Sequence, residues 1–334
     1  MKKLTERLTR GKDLTREETA SVFERIMTGA VDESALCAFL LALAEKGETV
    51  EEIVGAAEVM RRHVISVRAP DGAIDTCGTG GDGVNTFNVS TCASFIAAGA
   101  GAVVAKHGNR TNTRVSGSAE VLRELGVNLE TDVPVLERSL EQIGIAFLYA
   151  PRLHPAMRHA LPARKRLGIR TIFNLLGPLT NPAAVRRQIV GVPGPALTEL
   201  LACVLGELGA ERAWVVHGAD GLCDLSITGP SRVTEWRDGK MRTHSVSPDD
   251  VGLSRSTLSE LFVASPRESA ATLRGILAGD PGPCRDHAVL NAAAALVVAD
   301  LADDLRGAVD LAQNSIDSGA ALEKLRRMIE LCGN

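Results

Sequence analysis

The sequence predicts an α/β protein in which a small N-terminal helical domain precedes a larger domain built on a mostly parallel central sheet. Three observations carry that expectation. The first 66 or so residues show only helical periodicity, with start and stop signals to match. Beyond residue 73, short apolar runs alternate with helical stretches, the grammar of a parallel sheet covered on both faces. Aromatic residues are 3 % of the chain and apolar ones 45 %, so Ala, Leu, Val and Ile must fill the core, a composition that suits helices and parallel strands.

The helical part is justified segment by segment. Thr15-x-x-Glu18 is a capping box ahead of Val22, Phe23, Ile26 and Met27, and Gly29 ends that run. Asp32 opens a second helix through Leu36, Phe39, Leu40 and Leu43, closed by Gly47, and Thr49-x-x-Glu52 opens a third with Ile53, Ala56, Val59 and Met60 on one side. Arg68-Ala-Pro-Asp-Gly72 breaks the pattern, making 67–72 a domain linker and 73–334 the α/β domain. Strands are expected at 73–76, 102–105, 145–149, 188–192 and 213–217, and helices at 90–99, 118–125, 134–142, 154–166 and 195–208. Two further apolar helical stretches follow, at 288–301 and at 311–331 with an interruption at Ser318-Gly319.

Charge and cysteine content narrow the function classes. A net charge of −4 gives no general attraction to nucleic acid or anionic membranes, so any basic residues that matter act locally. The seven cysteines, at 37, 77, 92, 203, 223, 284 and 332, are scattered, with no C-x-x-C pair and no histidine at metal spacing, which fits reduced thiols in the cytoplasm. The opening residues lack an apolar signal core and no later stretch approaches a membrane span, so a soluble, untargeted protein is expected.

Chemistry concentrates between residues 75 and 118. Gly78, Gly80, Gly81 and Gly83 let backbone N–H groups approach an oxyanion, and Asp82 among them suits a bridging cation. Neither a Walker A loop nor a G-x-G-x-x-G spacing is present, so neither common nucleotide motif applies. Asn88-Val89-Ser90-Thr91 stands at an expected helix start, where free N–H groups favour phosphate and the two hydroxyls either join in or simply cap the helix. Lys106-His-Gly-Asn-Arg110 directly follows an expected strand and places two cations at its end, a pattern that fits a polyanion better than a metal. Arg164-Lys165-Arg166 reads by itself as an exposed basic run. No Ser/His/Asp or paired-carboxylate signature is evident.

Gly78-Thr-Gly-Gly-Asp82, Asn88-Val-Ser-Thr91, Lys106-His-Gly-Asn-Arg110, Gly117-Ser-Ala119, His154-Pro-Ala-Met157 and the run from Arg170 to Pro182 together resemble the anthranilate phosphoribosyltransferase family, over nearly the whole chain. The resemblance implies the nucleoside phosphorylase/phosphoribosyltransferase type of fold, with residues near 165–185 rejoining the helical domain, and a homodimer formed through that domain. It places Gly78, Gly81, Asp82, Thr86, Asn88, Val89, Ser90, Thr91, Lys106 and Ser118 around 5-phosphoribosyl 1-pyrophosphate, with Gly78, Asn109 and Arg164 around anthranilate. An arginine fork suits the anthranilate carboxylate. Mg²⁺ is the implied cofactor, held by Ser90 and Asp224, and no general base is assigned. Related readings are a nucleoside phosphorylase, a transferase using another amine, or a noncatalytic paralogue that binds nucleic acid.

Two departures from the family pattern matter. The adjacent Asp-Glu that binds Mg²⁺, one of the two ions by both carboxylates, is here Cys223-Asp224, which weakens the second ion's site because a thiol is a poor ligand for a hard cation. Where the family shows Ser-Ser and a basic residue, this chain has Thr113-Arg114-Val115, so Arg114 is expected to bring positive charge near the pyrophosphate. Asp220 is the alternative replacement ligand.

Overall fold

The computed structural model describes residues 1–111 and 114–333, so Thr113 lies outside the described residues. Four helices come first: α1 (Lys2–Leu8), α2 (Arg16–Met27), α3 (Glu33–Lys46) and α4 (Val50–Arg62). Both capping boxes are formed. Thr15 accepts from the Glu18 N–H while the Glu18 carboxylate accepts from the Thr15 N–H, and Thr49 and Glu52 repeat the exchange. Asp32 caps α3 by accepting from the Ala35 N–H. Each such cap contributes about 1 kcal/mol, enough to set where a helix starts.

The remainder runs β1 (Ile74–Asp75), α5 (Val89–Gly99), β2 (Val104–Gly108), α6 (Ser118–Glu124), α7 (Val133–Gln142), β3 (Ile145–Tyr149), α8 (Ala150–Leu153), α9 (Leu161–Leu167), α10 (Phe173–Leu176) and β4 (Arg187–Gly191). Then follow α11 (Ala196–Glu207), β5 (Arg212–Gly218), β6 (Ser231–Arg237), β7 (Lys240–Val246) and α12 to α15 (Pro266–Leu277, Pro283–Val298, Leu305–Asp317 and Ala320–Cys332). The sheet order is β3-β2-β1-β4-β5-β6-β7, parallel from β3 to β5 and antiparallel across β6 and β7.

Three expectations need correction. The second strand is shifted: it pairs with β3 from Val104↔Ile145 to Gly108↔Tyr149, so Lys106 and His107 lie within it rather than past its end. Ladder pairing with β3 carries the strand through polar residues where an apolar run stops. The helix expected at 154–166 is broken into a 3₁₀ turn at Pro155–His159 and α9, because Pro155 and Pro162 each remove a backbone donor. The β6–β7 hairpin was not foreseen, since both strands are largely polar, contain no apolar run, and β7 is mostly exposed.

Alternation along the central strands builds two cores. Ile189 of β4 and Trp214 and Val216 of β5 join the cluster under α5 and α13, while Val190, Ala213 and Val215 point to the opposite face. That second face shares one core with α2, α3 and α4 and with Ala163, Ile172, Phe173 and Leu176 of the 160–179 segment. The chain therefore returns after β3 to pack on the N-terminal helices before it enters β4. Gly191, at the end of β4, is the tightest point of the sheet: a Cβ there would lie 1.6 Å from the Cys223 carbonyl oxygen. Gly191→Ala is expected to destabilise the protein by about 3 kcal/mol or more, since the clash is with backbone that has no rotamer to escape to. Urea denaturation checks it, and an unchanged midpoint would contradict the packing described.

Candidate active site

The three polar segments meet at the carboxyl ends of β1 and β4, where the strand order reverses direction. The turn after β1 lies directly on β4: the Thr79 N–H donates to the Gly191 carbonyl at 2.8 Å, and a Cβ at Gly78 would stand 2.8 Å from that same oxygen. Gly81 has φ +97°, a conformation that favours glycine, and a Cβ on it would displace the flexible Arg170 guanidinium 2.5 Å away.

β2 delivers Lys106 beside this turn. Its buried ammonium donates to Thr76 Oγ1 at 3.0 Å and to Ser90 Oγ at 3.3 Å. Burial lowers its pKa, while the charges of Asp75, Cys77 and Asp224 oppose that shift. At the start of α5 the Val89 N–H donates to Phe87 O and the Thr91 N–H to Asn88 O, whereas the Ser90 N–H has no acceptor among the described residues. Ser90 therefore combines a free backbone donor with a hydroxyl next to an ammonium, which is an anion-binding arrangement. Gly78, Ser90, Gly191, Cys223, Asp224 and Asn291 line a small, partly open cleft.

The floor of the site is a buried polar network. Asp75 accepts from the His107 N–H at 3.0 Å and from Asn181 Nδ2 at 2.7 Å, and Asn181 also donates to Ala105 O at 2.8 Å. Burial pushes Asp75 up to about 6, against the pull of Lys106. His107 Nδ1 lies 3.0 Å from Gly177 O and its Nε2 lies 3.2 Å from His154 Nε2. Burial takes these rings down to about 3 and about 4, so both are neutral at pH 7. Asp75, Cys77 and His107 bring ligand-type atoms within 4.8 Å of one another, yet the bonds of Asp75 and His107 are already committed to the fold.

Asp224 differs from Asp75. Its carboxyl is buried and, among the described residues, forms no hydrogen bond or ion pair; burial pushes it up to about 7, with Arg114 opposing. Ser90 and Asp224 both line this cleft and are oxygen donors, the ligand chemistry that magnesium takes. Cys223 is no ligand for such an ion, because burial raises its thiol pKa and keeps it protonated. Asp220 is engaged elsewhere: Oδ1 accepts from the Leu222 N–H at 3.2 Å, and Oδ2 accepts from the Ser226 and Thr228 hydroxyls.

The other residues singled out in the sequence take varied places. The Asn88 side chain is consumed in bracing, accepting from the hydroxyls of Ser116 and Ser269 and donating to Ser116 O. Val89, Thr86 and Thr91 are buried, and the two threonine hydroxyls lack partners among the described residues. Ser118 donates to Asn109 O at 3.2 Å, tying the residue after β2 to α6, while the Asn109 side chain accepts from the Arg110 N–H. Arg164, on α9, stacks its guanidinium 5.4 Å from the Phe173 ring centre. It meets no carboxylate among the described residues, and burial lowers its pKa. Asn181, Asn291 and Gly191 were not foreseen. An asparagine followed by proline in Thr180-Asn181-Pro182 is the only local signal for the first, and it reads equally well as a turn.

Residues 2–64 match the helical bundle domain of a glycosyl transferase family and residues 70–322 its a/b domain. An anthranilate phosphoribosyltransferase from Symbiobacterium thermophilum is 50 % identical over 99 % of this chain and 97 % of its own length. One from Chloroflexus aggregans is 52 % identical over 95 % of this chain and 94 % of its own. Among solved structures, the anthranilate phosphoribosyltransferase of Thermus thermophilus superposes with a TM-score of 0.93 at 38 % identity, covering 99 % of both chains. That of Saccharomyces cerevisiae, in complex with PRPP and Mg, gives 0.90 at 29 % identity over 98 % of this chain and 96 % of the other.

The raised pKa of Asp224 sets a stability signature. As pH rises from about 4 the unfolded chain ionises this group while the folded protein holds it protonated, so stability falls until about pH 7 and is level above it. Asp224→Asn removes that penalty. Thermal melts should show the variant more stable than the parent at pH 8, with the difference closing towards pH 4; a less stable variant at pH 8 would mean that the carboxylate has a partner.

Proposed function

The chain belongs to the anthranilate phosphoribosyltransferase family, and from that premise we infer that it transfers the 5-phosphoribosyl group of phosphoribosyl pyrophosphate to anthranilate, releasing N-(5-phosphoribosyl)anthranilate and pyrophosphate, in tryptophan biosynthesis. One observation carries the assignment to this cleft: the glycine turn, the Lys106 ammonium and the free Ser90 N–H converge at the switch point of the sheet. When pyrophosphate departs from C1 of the ribose, negative charge grows on the leaving oxygens, and fixed donors in a partly buried cleft stabilise it without reorganising. Lys106 and the turn are held in place by their own hydrogen bonds before any ligand arrives, so the electrostatic help is preorganised. Ser90 and Asp224 would hold the magnesium ion, which would supply further neutralising charge.

The acceptor is a neutral aromatic amine, which needs no strong base to attack. The geometry agrees, for His107 and His154 are locked in the floor and Asp75 is held by Asn181 and the His107 N–H. Gly78, Asn109 and Arg164 are the residues we assign to anthranilate. A half-buried guanidinium with no carboxylate partner is suited to the ring's carboxylate, which a nucleobase lacks, and this disfavours a nucleoside phosphorylase. Gly78, Gly81, Asp82, Thr86, Asn88, Val89, Ser90, Thr91, Lys106 and Ser118 remain the donor set, with Asn88 acting through its bracing of Ser116.

We propose an organisation to match. A helical unit of residues 1–66, rejoined by about 165–185, and an α/β unit of 73–334 flank the cleft, and the protein pairs as a homodimer through the helical unit, whose Leu41 and Ile169 are exposed. Seven free thiols and the absence, among the described residues, of a helix long and apolar enough to cross a membrane are compatible with the cytoplasm.

Incubation with anthranilate, phosphoribosyl pyrophosphate and Mg²⁺ should consume anthranilate fluorescence, and EDTA should stop it. Arg164→Ala is expected to raise KM for anthranilate about tenfold or more while leaving KM for the donor within about twofold. Equal rises for both substrates would remove Arg164 from the acceptor pocket, and no turnover by the parent protein would reject the activity.

A further inference from the structure

We propose that Arg114 reads the diphosphate of the donor by transferring its guanidinium fork from Asp82 to the leaving group, so that pyrophosphate recognition has a component that needs no metal. The inference rests on the donor reading above. Arg114 is mostly buried and grips Asp82 with two N–H groups, Nε at 2.6 Å from Oδ1 and Nη2 on Oδ2. The Asp82 side chain is fully buried at the end of the glycine turn. The Cys223 N–H donates to Asp82 Oδ2 at 3.1 Å and the Val84 N–H reaches Oδ1 at 3.4 Å, and Cys223 borders the cleft.

Three features set this ion pair apart from an ordinary brace. Asp82 keeps both backbone donors when the guanidinium leaves, so the exchange does not strand a buried carboxylate without hydrogen bonds. The strap that carries Arg114 is held without its side chain, because the Val115 N–H donates to Asn85 Oδ1 at 3.0 Å and the Ser116 hydroxyl to Asn88 Oδ1 at 2.6 Å. The side chain can therefore move while its backbone stays in register along residues 82–88. Asp224 also acts on Arg114 electrostatically, and the adjacent side chain at 223 is a thiol, so the corner holds a cation with a single close carboxylate partner rather than a saturated cluster. A planar fork already set for a carboxylate presents the same two parallel donors to a phosphate.

Calorimetry with inorganic pyrophosphate, in EDTA and again with Mg²⁺, tests the idea on the intact protein. The parent should bind pyrophosphate in EDTA, Arg114→Ala should lose about tenfold or more of that affinity, and Arg114→Lys, which keeps the charge but not the fork, should fall between them. Thermal melts establish that each variant is folded, and should the alanine variant fail to fold, the lysine variant carries the comparison. Variants that bind metal-free pyrophosphate as tightly as the parent, or a parent that binds it only with Mg²⁺, would overturn the role of Arg114. A parent that binds no pyrophosphate under either condition would overturn the donor reading itself.

Discussion

The site depends on a backbone contact that admits no side chain. Gly78, Gly191 and Cys223 come from three distant stretches of the chain and touch through main-chain atoms, with Gly191 against the Cys223 carbonyl and Gly78 against the Gly191 carbonyl. Because interiors are packed to near-crystalline density, one methyl group at either glycine would push the turn off the sheet. The Thr79 N–H bond to Gly191 then fixes the turn in the one position where Ser90 and Lys106 stand beside it.

Around that contact the protein arranges buried charge in two ways. Asp75 is satisfied by Asn181 and the His107 N–H and sits near Lys106, so its charge is spent on holding the floor. Asp224 forms no hydrogen bond or ion pair among the described residues, and Asp82 is shared between a guanidinium and backbone donors. In a low-dielectric cleft an unpartnered carboxyl is unfavourable to folding and valuable to a ligand, since the same desolvation that raises its pKa strengthens any cation placed on it. Stability and binding thus draw on neighbouring groups in opposite directions.

Much of this was visible in the chain itself. The capping boxes at Thr15 and Thr49 formed as read, because a cap is a contact among residues three apart. The strand at 145–149 was placed correctly, for five apolar residues buried on both faces give an unbroken run. β2 was misplaced and the β6–β7 hairpin missed because their pairing is decided by neighbouring strands rather than by their own hydrophobicity. The glycine turn, Ser90 and Lys106 could be singled out from residue type and order, whereas Asn181, Asn291 and Gly191 look in sequence like ordinary turn, helix and strand residues.

Residue order alone determined the helical start of the chain, the α/β grammar after it and the kind of chemistry, since caps, periodicity and glycine-rich anion loops are local properties. Only the tertiary structure decided which carboxylates are spent and which are free: that Asp75 binds Asn181, that Asp220 is consumed by Ser226 and Thr228, that Asp82 holds Arg114 and that Asp224 makes no hydrogen bond or ion pair among the described residues. The physical reason is that a carboxylate's state is set by burial and by donors arriving from elsewhere in the chain, and neither is written in its own neighbourhood of the sequence.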